Sequence, residues 1–166
     1  MATSLSVTLT FKIAHDYTNA LDLSTPKDDF DLTLSDTLSN GTGNDQVDVV
    51  WHDQRTLATT SENLDLAGSL TSAFGSTVTF AKVKGICIKN MSTTTTQIVT
   101  VGGAAATQFI NWVGDSSDTV KVGPDGILFL WSPMDGYAVT AGTGDLLKIA
   151  TSANITYDIW IIGTSA

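Results

Sequence analysis

The chain is short of most of what would single out a chemistry. It has one cysteine, Cys87, so no internal disulfide can form. It has three prolines and one arginine, Arg55, and charged residues make up 15% of it, against about 25% in an average soluble domain. The longest apolar runs, such as Ile127 to Trp131, are strand-sized, so none is expected to span a membrane. The opening MATSLSVTLTF lacks a basic region followed by an apolar one, so no secretory signal is expected. Long segments with a 3.6-residue period are also missing, which excludes helical bundles, coiled coils and α/β folds.

Serine and threonine supply polarity in place of charge, at roughly a quarter of the 166 residues, and hydrophobic residues reach 42%. A chain of this length can bury a real core as one domain, and its composition excludes intrinsic disorder. Eight basic residues against seventeen acidic ones leave a net charge of −9. Such a surface is repelled by nucleic acid phosphates and anionic lipid, so neither nucleic acid nor membrane is expected as a partner. The one basic grouping, Lys82, Lys84 and Lys89, reads as a solvated strand face. Cys87, between Ile86 and Ile88, reads as an ordinary strand residue.

What is present is strand grammar. Leu5, Val7, Leu9, Phe11 and Ile13 alternate with polar residues, the mark of a half-buried strand. Residues 15–30 read as loop, and Phe30, Leu32 and Leu34 as a second, more polar strand. Val47, Val49 and Trp51 alternate next, and a short helical turn is conceivable over residues 67–74. Residues 78–90 form a long β segment whose parity slips around Gly85, as a bulge would make it do. Further strands are expected at 97–101, 108–113, 119–122, 126–131, 137–140, 146–150 and 155–162, separated by Gly, Asp and Pro turns. About ten to twelve short strands predict an all-β, antiparallel two-sheet sandwich of jelly-roll type. The expected organisation is a single domain over 1–166, with 1–40 as an extended N-terminal arm or peripheral strands.

Catalytic and metal motifs are not expected. His15-Asp16 and His52-Asp53 are neighbours in sequence, and adjacent residues on a strand point to opposite faces. No nucleophile elbow, zinc spacing, calcium loop or phosphate loop accompanies them. The expected catalytic, cofactor and metal sets are therefore empty, and an enzyme is not expected. Two of the four tryptophans, Trp112 and Trp160, sit off the main apolar register, where a neighbouring subunit would cover them or a glycan would stack on them. Trp51, His52 and Arg55 lie together, and Trp and Arg are the types most enriched at interface hot spots. Trp51 equally completes the Val47, Val49 stripe, and Arg55 equally makes a surface ion pair.

The segments Gly43 to Leu57, Glu62 to Leu70 and Phe74 to Phe80, with Val101 to Ala104, Phe109 to Gly114, Val122 to Gly126 and Gly136 to Ile149, resemble small virion proteins of tailed bacteriophages. The resemblance runs from about residue 40 onward and lies in framework and turn residues. It implies a non-enzymatic β-rich structural protein located in the virion and assembled in the host cytoplasm. It implies foremost a capsid decoration (cement) protein on the outer capsid surface. Its partners would then be the major capsid protein and itself, as a homo-oligomer, most simply a trimer. The alternative is a tail, fibre or head-fibre component that binds a host-surface receptor. Trp51, His52, Arg55, Trp112 and Trp160 are the expected subunit or capsid interface residues.

Overall fold

A computed structural model describes residues 4–58, 60–103 and 106–166. Every regular element in it is a strand. In chain order these are β1 (Val7–Thr18), β2 (Lys27–Asn40), β3 (Gln46–Val47), β4 (Val49–Ala58), β5 (Ser61–Asp65), β6 (Leu70–Thr71) and β7 (Thr77–Val78). Then follow β8 (Lys82–Asn90), β9 (Val99–Gly102), β10 (Thr119–Val122), β11 (Ile127–Trp131), β12 (Tyr137–Ala138), β13 (Leu146–Thr151) and β14 (Asn154–Thr164).

Two sheets face each other. One has the order β11-β8-β14-β4, with β12 also on β8, and the other has the order β10-β9-β13-β5. All the pairings within both are antiparallel. Alternation supplies the core: Ile86, Ile88, Ile159 and Ile161 from the first sheet meet Val99, Val101, Leu147 and Ile149 from the second. The expected all-β sandwich is what the chain forms.

Between Ile162 and Gly163 the register of β14 on β8 shifts from Gly85 to Val83, leaving Lys84 as the extra residue. The parity slip thus marks a real bulge. Lys84 is not on a solvated face as expected. It is 1% exposed, and its Nζ donates to the Gly43 carbonyl at 2.5 Å. The bulge turns it under the 41–45 turn, and burial pushes its pKa below the usual lysine value.

Other expectations need correcting. Residues 67–74 hold turns and the short β6, with no helix. Residues 108–113 form an isolated bridge at Gln108 followed by turns, because Phe109 and Trp112 reach the core from a loop. Residues 15–30 are loop only over 19–26, since β1 runs to Thr18 and β2 begins at Lys27.

Those two long strands form an antiparallel hairpin in unbroken register from Val7↔Leu38 to Thr18↔Lys27. Only its root is packed. Leu38, Val47 and Ile162 make a second small core, with Leu5, Val7, Val50, Trp131 and Trp160 against it. Beyond the root almost every arm residue is exposed.

Candidate functional site

Two surfaces could act on something outside the chain: the arm, and the outer face of the first sheet. Directly opposed residues of an antiparallel pair share a face. The arm therefore sorts its side chains cleanly. Phe11 opposite Leu34, Ile13 opposite Leu32, and His15 opposite Phe30 lie on one face, with Tyr17 beyond them. Thr10 opposite Ser35, Lys12 opposite Thr33, and Asp16 opposite Asp29 lie on the other. The polar face is tied by ion pairs, Lys12 to Asp31 at 2.8 Å and Lys27 to Asp16 and Asp29 at 2.8 and 2.9 Å. These carboxylates raise the pKa of Lys27. On the apolar face the His15 ring stacks on Phe30 at 5.5 Å, and its Nε2 lies 3.4 Å from Asp28.

At the root, Trp131 Nε1 donates to Asp36 Oδ2 at 2.9 Å, fixing the arm to the sheet. Leu9, Phe11 and Leu34 there meet Phe129 and Trp131 in an open apolar groove. Phe129 and Trp131 stack with centroids 6.1 Å apart. Trp131 lies over Gly85, where an added Cβ would come within 3.0 Å of the indole, so the outer face is closed over a glycine. The next row across the sheet is Phe129, Cys87, Trp160 and His52, all in register. Around Trp160 the lining turns polar, with His52, Gln54, Asp158 and Lys89. Gln54 Nε2 donates to Asp158 at 2.8 Å, and burial pushes the Cys87 thiol pKa up, away from thiolate chemistry.

The expected interface residues divide between environments. Trp160 and His52 share the outer face. Trp51, 4% exposed, is part of the main core. Trp112 packs on that core from its loop, and its Nε1 donates to the Phe109 carbonyl at 2.9 Å. Arg55 points inward from β4 and joins the two sheets at their open edge. Its Nε donates to both Glu62 oxygens at 2.9 and 2.8 Å, its Nη2 also reaches Glu62, and its Nη1 donates to Asp53 at 2.9 Å. The Tyr157 hydroxyl donates to Glu62 Oε1 at 2.6 Å. The carboxylate raises the pKa of Arg55, and burial together with Glu62 raises that of Tyr157.

Alternation alone does not link Arg55 to its partners: Glu62, seven residues on, belongs to the facing sheet, and Tyr157 lies on β14, beside β4 in space but at the other end of the chain. The arm's apolar face was half visible, as two alternating runs, but the acidic stretch between them concealed their pairing. Among the described residues no group of three or more His, Cys, Asp or Glu could hold a metal ion. No helix among them is long and apolar enough to cross a membrane. No family model, no curated protein and no solved structure matches the chain.

Proposed function

We propose that the chain is a structural virion protein of a tailed bacteriophage, without catalytic activity, that decorates the outer surface of the capsid and stabilises the head. The observation that carries the reading is the arm. A two-stranded ribbon with one apolar face is marginal alone in water and gains stability when that face is covered. A protein that presents such a ribbon beside a well-packed sandwich is suited to finishing its structure in an assembly. The resemblance of residues 40 onward to small phage virion proteins supports the same class. Cement proteins clamp several capsid subunits, so their affinity is spread over geometry and avidity rather than one conspicuous site.

A second reading, a tail or fibre component binding a host receptor, is favoured by one feature. Trp160 is partly exposed among His52, Gln54, Asp158 and Lys89, an aromatic platform with polar neighbours of the kind sugars use. Copy number separates the two. In purified particles of the encoding phage, a decoration protein is present in hundreds of copies, and a cryo-EM map places it on the head lattice. A few dozen copies or fewer, placed at the tail, would overturn the first reading in favour of the second. Absence from the particle would overturn both.

A further inference from the structure

We propose that the apolar face of the β1–β2 arm is a self-association surface, and that its occupant is the same face of another copy of this chain. The inference deepens the assembly reading, and rests on it only for the arm's role within a particle.

Phe11, Ile13, Tyr17, Phe30, Leu32 and Leu34 form the face. Their exposures run from 37% at Leu32 to 69% at Tyr17. A large apolar side chain presents about 150–250 Å², so the six together leave on the order of 500 Å² uncovered. That is as much as the largest patch on a typical monomer, about 300–600 Å². The ladder is twelve residues long, about 40 Å at roughly 3.4 Å per residue.

Self-pairing fits this surface in area and polarity, and the acidic surroundings disfavour an anionic partner. Two such faces in contact remove about 1,000 Å² in total, the lower limit for a biological interface and the range of weak, reversible association. The groove beside Phe129 and Trp131 continues the same apolar floor at the root. The middle of the face, Phe11 to Ile13 and Leu32 to Leu34, carries no charge, so a matching apolar strip can lie on it without burying an unpaired ion. The carboxylates on this face are near its ends, and each already has a partner: Asp36 holds the Trp131 indole and Asp28 lies by His15. Acidic residues crowd the back and tip of the arm, with Asp16, Asp22, Asp29 and Asp31 against Lys12 and Lys27. An anionic lipid surface or nucleic acid would be repelled there.

Charge also gives the pairing a signature. Each copy carries −9, so added salt screens repulsion between copies and tightens self-association, whereas it would weaken binding to a basic partner.

The test is sedimentation of the purified full chain at micromolar concentration, with no particle present. The expected mass is that of a dimer, twice 17.5 kDa, and the association constant rises with salt. Replacing the opposed pair, Ile13→Thr with Leu32→Thr, puts strand-favouring β-branched residues at both positions of the ladder. It should lower the association constant at least about 100-fold, a loss of about 2.7 kcal/mol, without changing the far-ultraviolet circular dichroism. Thr10→Lys, on the polar face, should leave association intact. A parent that stays monomeric, or an oligomer that survives the double replacement, overturns the proposal. A monomer that nonetheless decorates capsids, or binds vesicles through the arm, overturns it too. In the capsid case the virion reading stands on its own.

Discussion

Replacing Arg55 by alanine removes the one cation that ties the two sheets together at their open edge. Glu62 would keep only the Tyr157 hydroxyl, and its side chain is 16% exposed, so water can replace the guanidinium only in part. Removing one partner of a fully buried pair costs about 3–5 kcal/mol, while a fully exposed pair contributes about 0–1 kcal/mol. Arg55 and Asp53 have side chains 35% and 44% exposed, which places this cluster between the limits, at about 2 kcal/mol. For a chain of this size each kcal/mol moves Tm by about 2–4 °C, so Arg55→Ala should lower it by about 4–8 °C. Arg55→Lys keeps the charge but not the two-oxygen grip, and should cost about half as much. The assay is thermal unfolding of Arg55→Ala, Glu62→Gln and the double variant. The coupling energy should be about 1–2 kcal/mol, because the two residues touch. A coupling near zero, with Tm unchanged in Arg55→Ala, would refute the reasoning. If assembly weakened at the same time, Arg55 would belong to an interface between subunits, the other role its sequence context allows.

Tyr157 keeps its proton in the folded chain well above the usual 10.0, so above pH 10 the unfolded state loses a proton that the folded state holds. Stability should then fall by up to about 1.4 kcal/mol per pH unit. Absorbance at the tyrosinate band should show one tyrosine ionising only together with loss of structure, and its ionisation in the folded state would contradict the burial. Lys84 acts with the opposite sign. Its folded pKa is depressed, so stability rises with pH between that value and 10.5, and in Lys84→Met the rise should be missing from a series of Tm against pH. Gly163→Ala should cost more than about 3 kcal/mol or prevent folding, because the added Cβ would overlap the Lys82 carbonyl oxygen on the neighbouring strand. A Gly163→Ala variant with the parent's denaturant midpoint would show that the strands can part there without cost.

The sandwich was legible wherever burial writes alternation into the chain. Val99 to Val101, Leu147 to Ile149 and Ile155 to Ile161 carry period two because one face meets the other sheet. Gly85 announced the bulge by breaking parity, although the residue that the bulge buries, Lys84, looked like a surface lysine by type. The arm was harder to read for the reverse reason. Its residues are exposed on both faces, so Asp28, Asp29 and Asp31 cost nothing there and imitate a loop. Gln108 to Val113 misled in the other direction: a loop that drops Phe109 and Trp112 into the core borrows the composition of a strand. The Arg55–Glu62–Tyr157 cluster was out of reach, because its members meet only when β5 and β14 have found their places.

That late meeting carries over to how quickly the fold can form. β14 lies between β8 and β4, pairing Trp160 with both Cys87 and His52. The central strand of the first sheet is thus built from residues about a hundred positions later than those of its edge strand β4. Until residues 154–164 are made, β4 and β8 have no common neighbour, and Ile86, Ile88 and Trp51 wait without Ile159 and Ile161, which flank them in the sheet. Chain closure over such distances must precede the contacts that reward it, so folding should fall in the slow range of β-rich domains, about milliseconds to seconds. During that interval two apolar strands of the nascent sandwich and the finished arm are uncovered together. A cell making this protein in quantity therefore holds its greatest risk of mispairing before the last strand arrives.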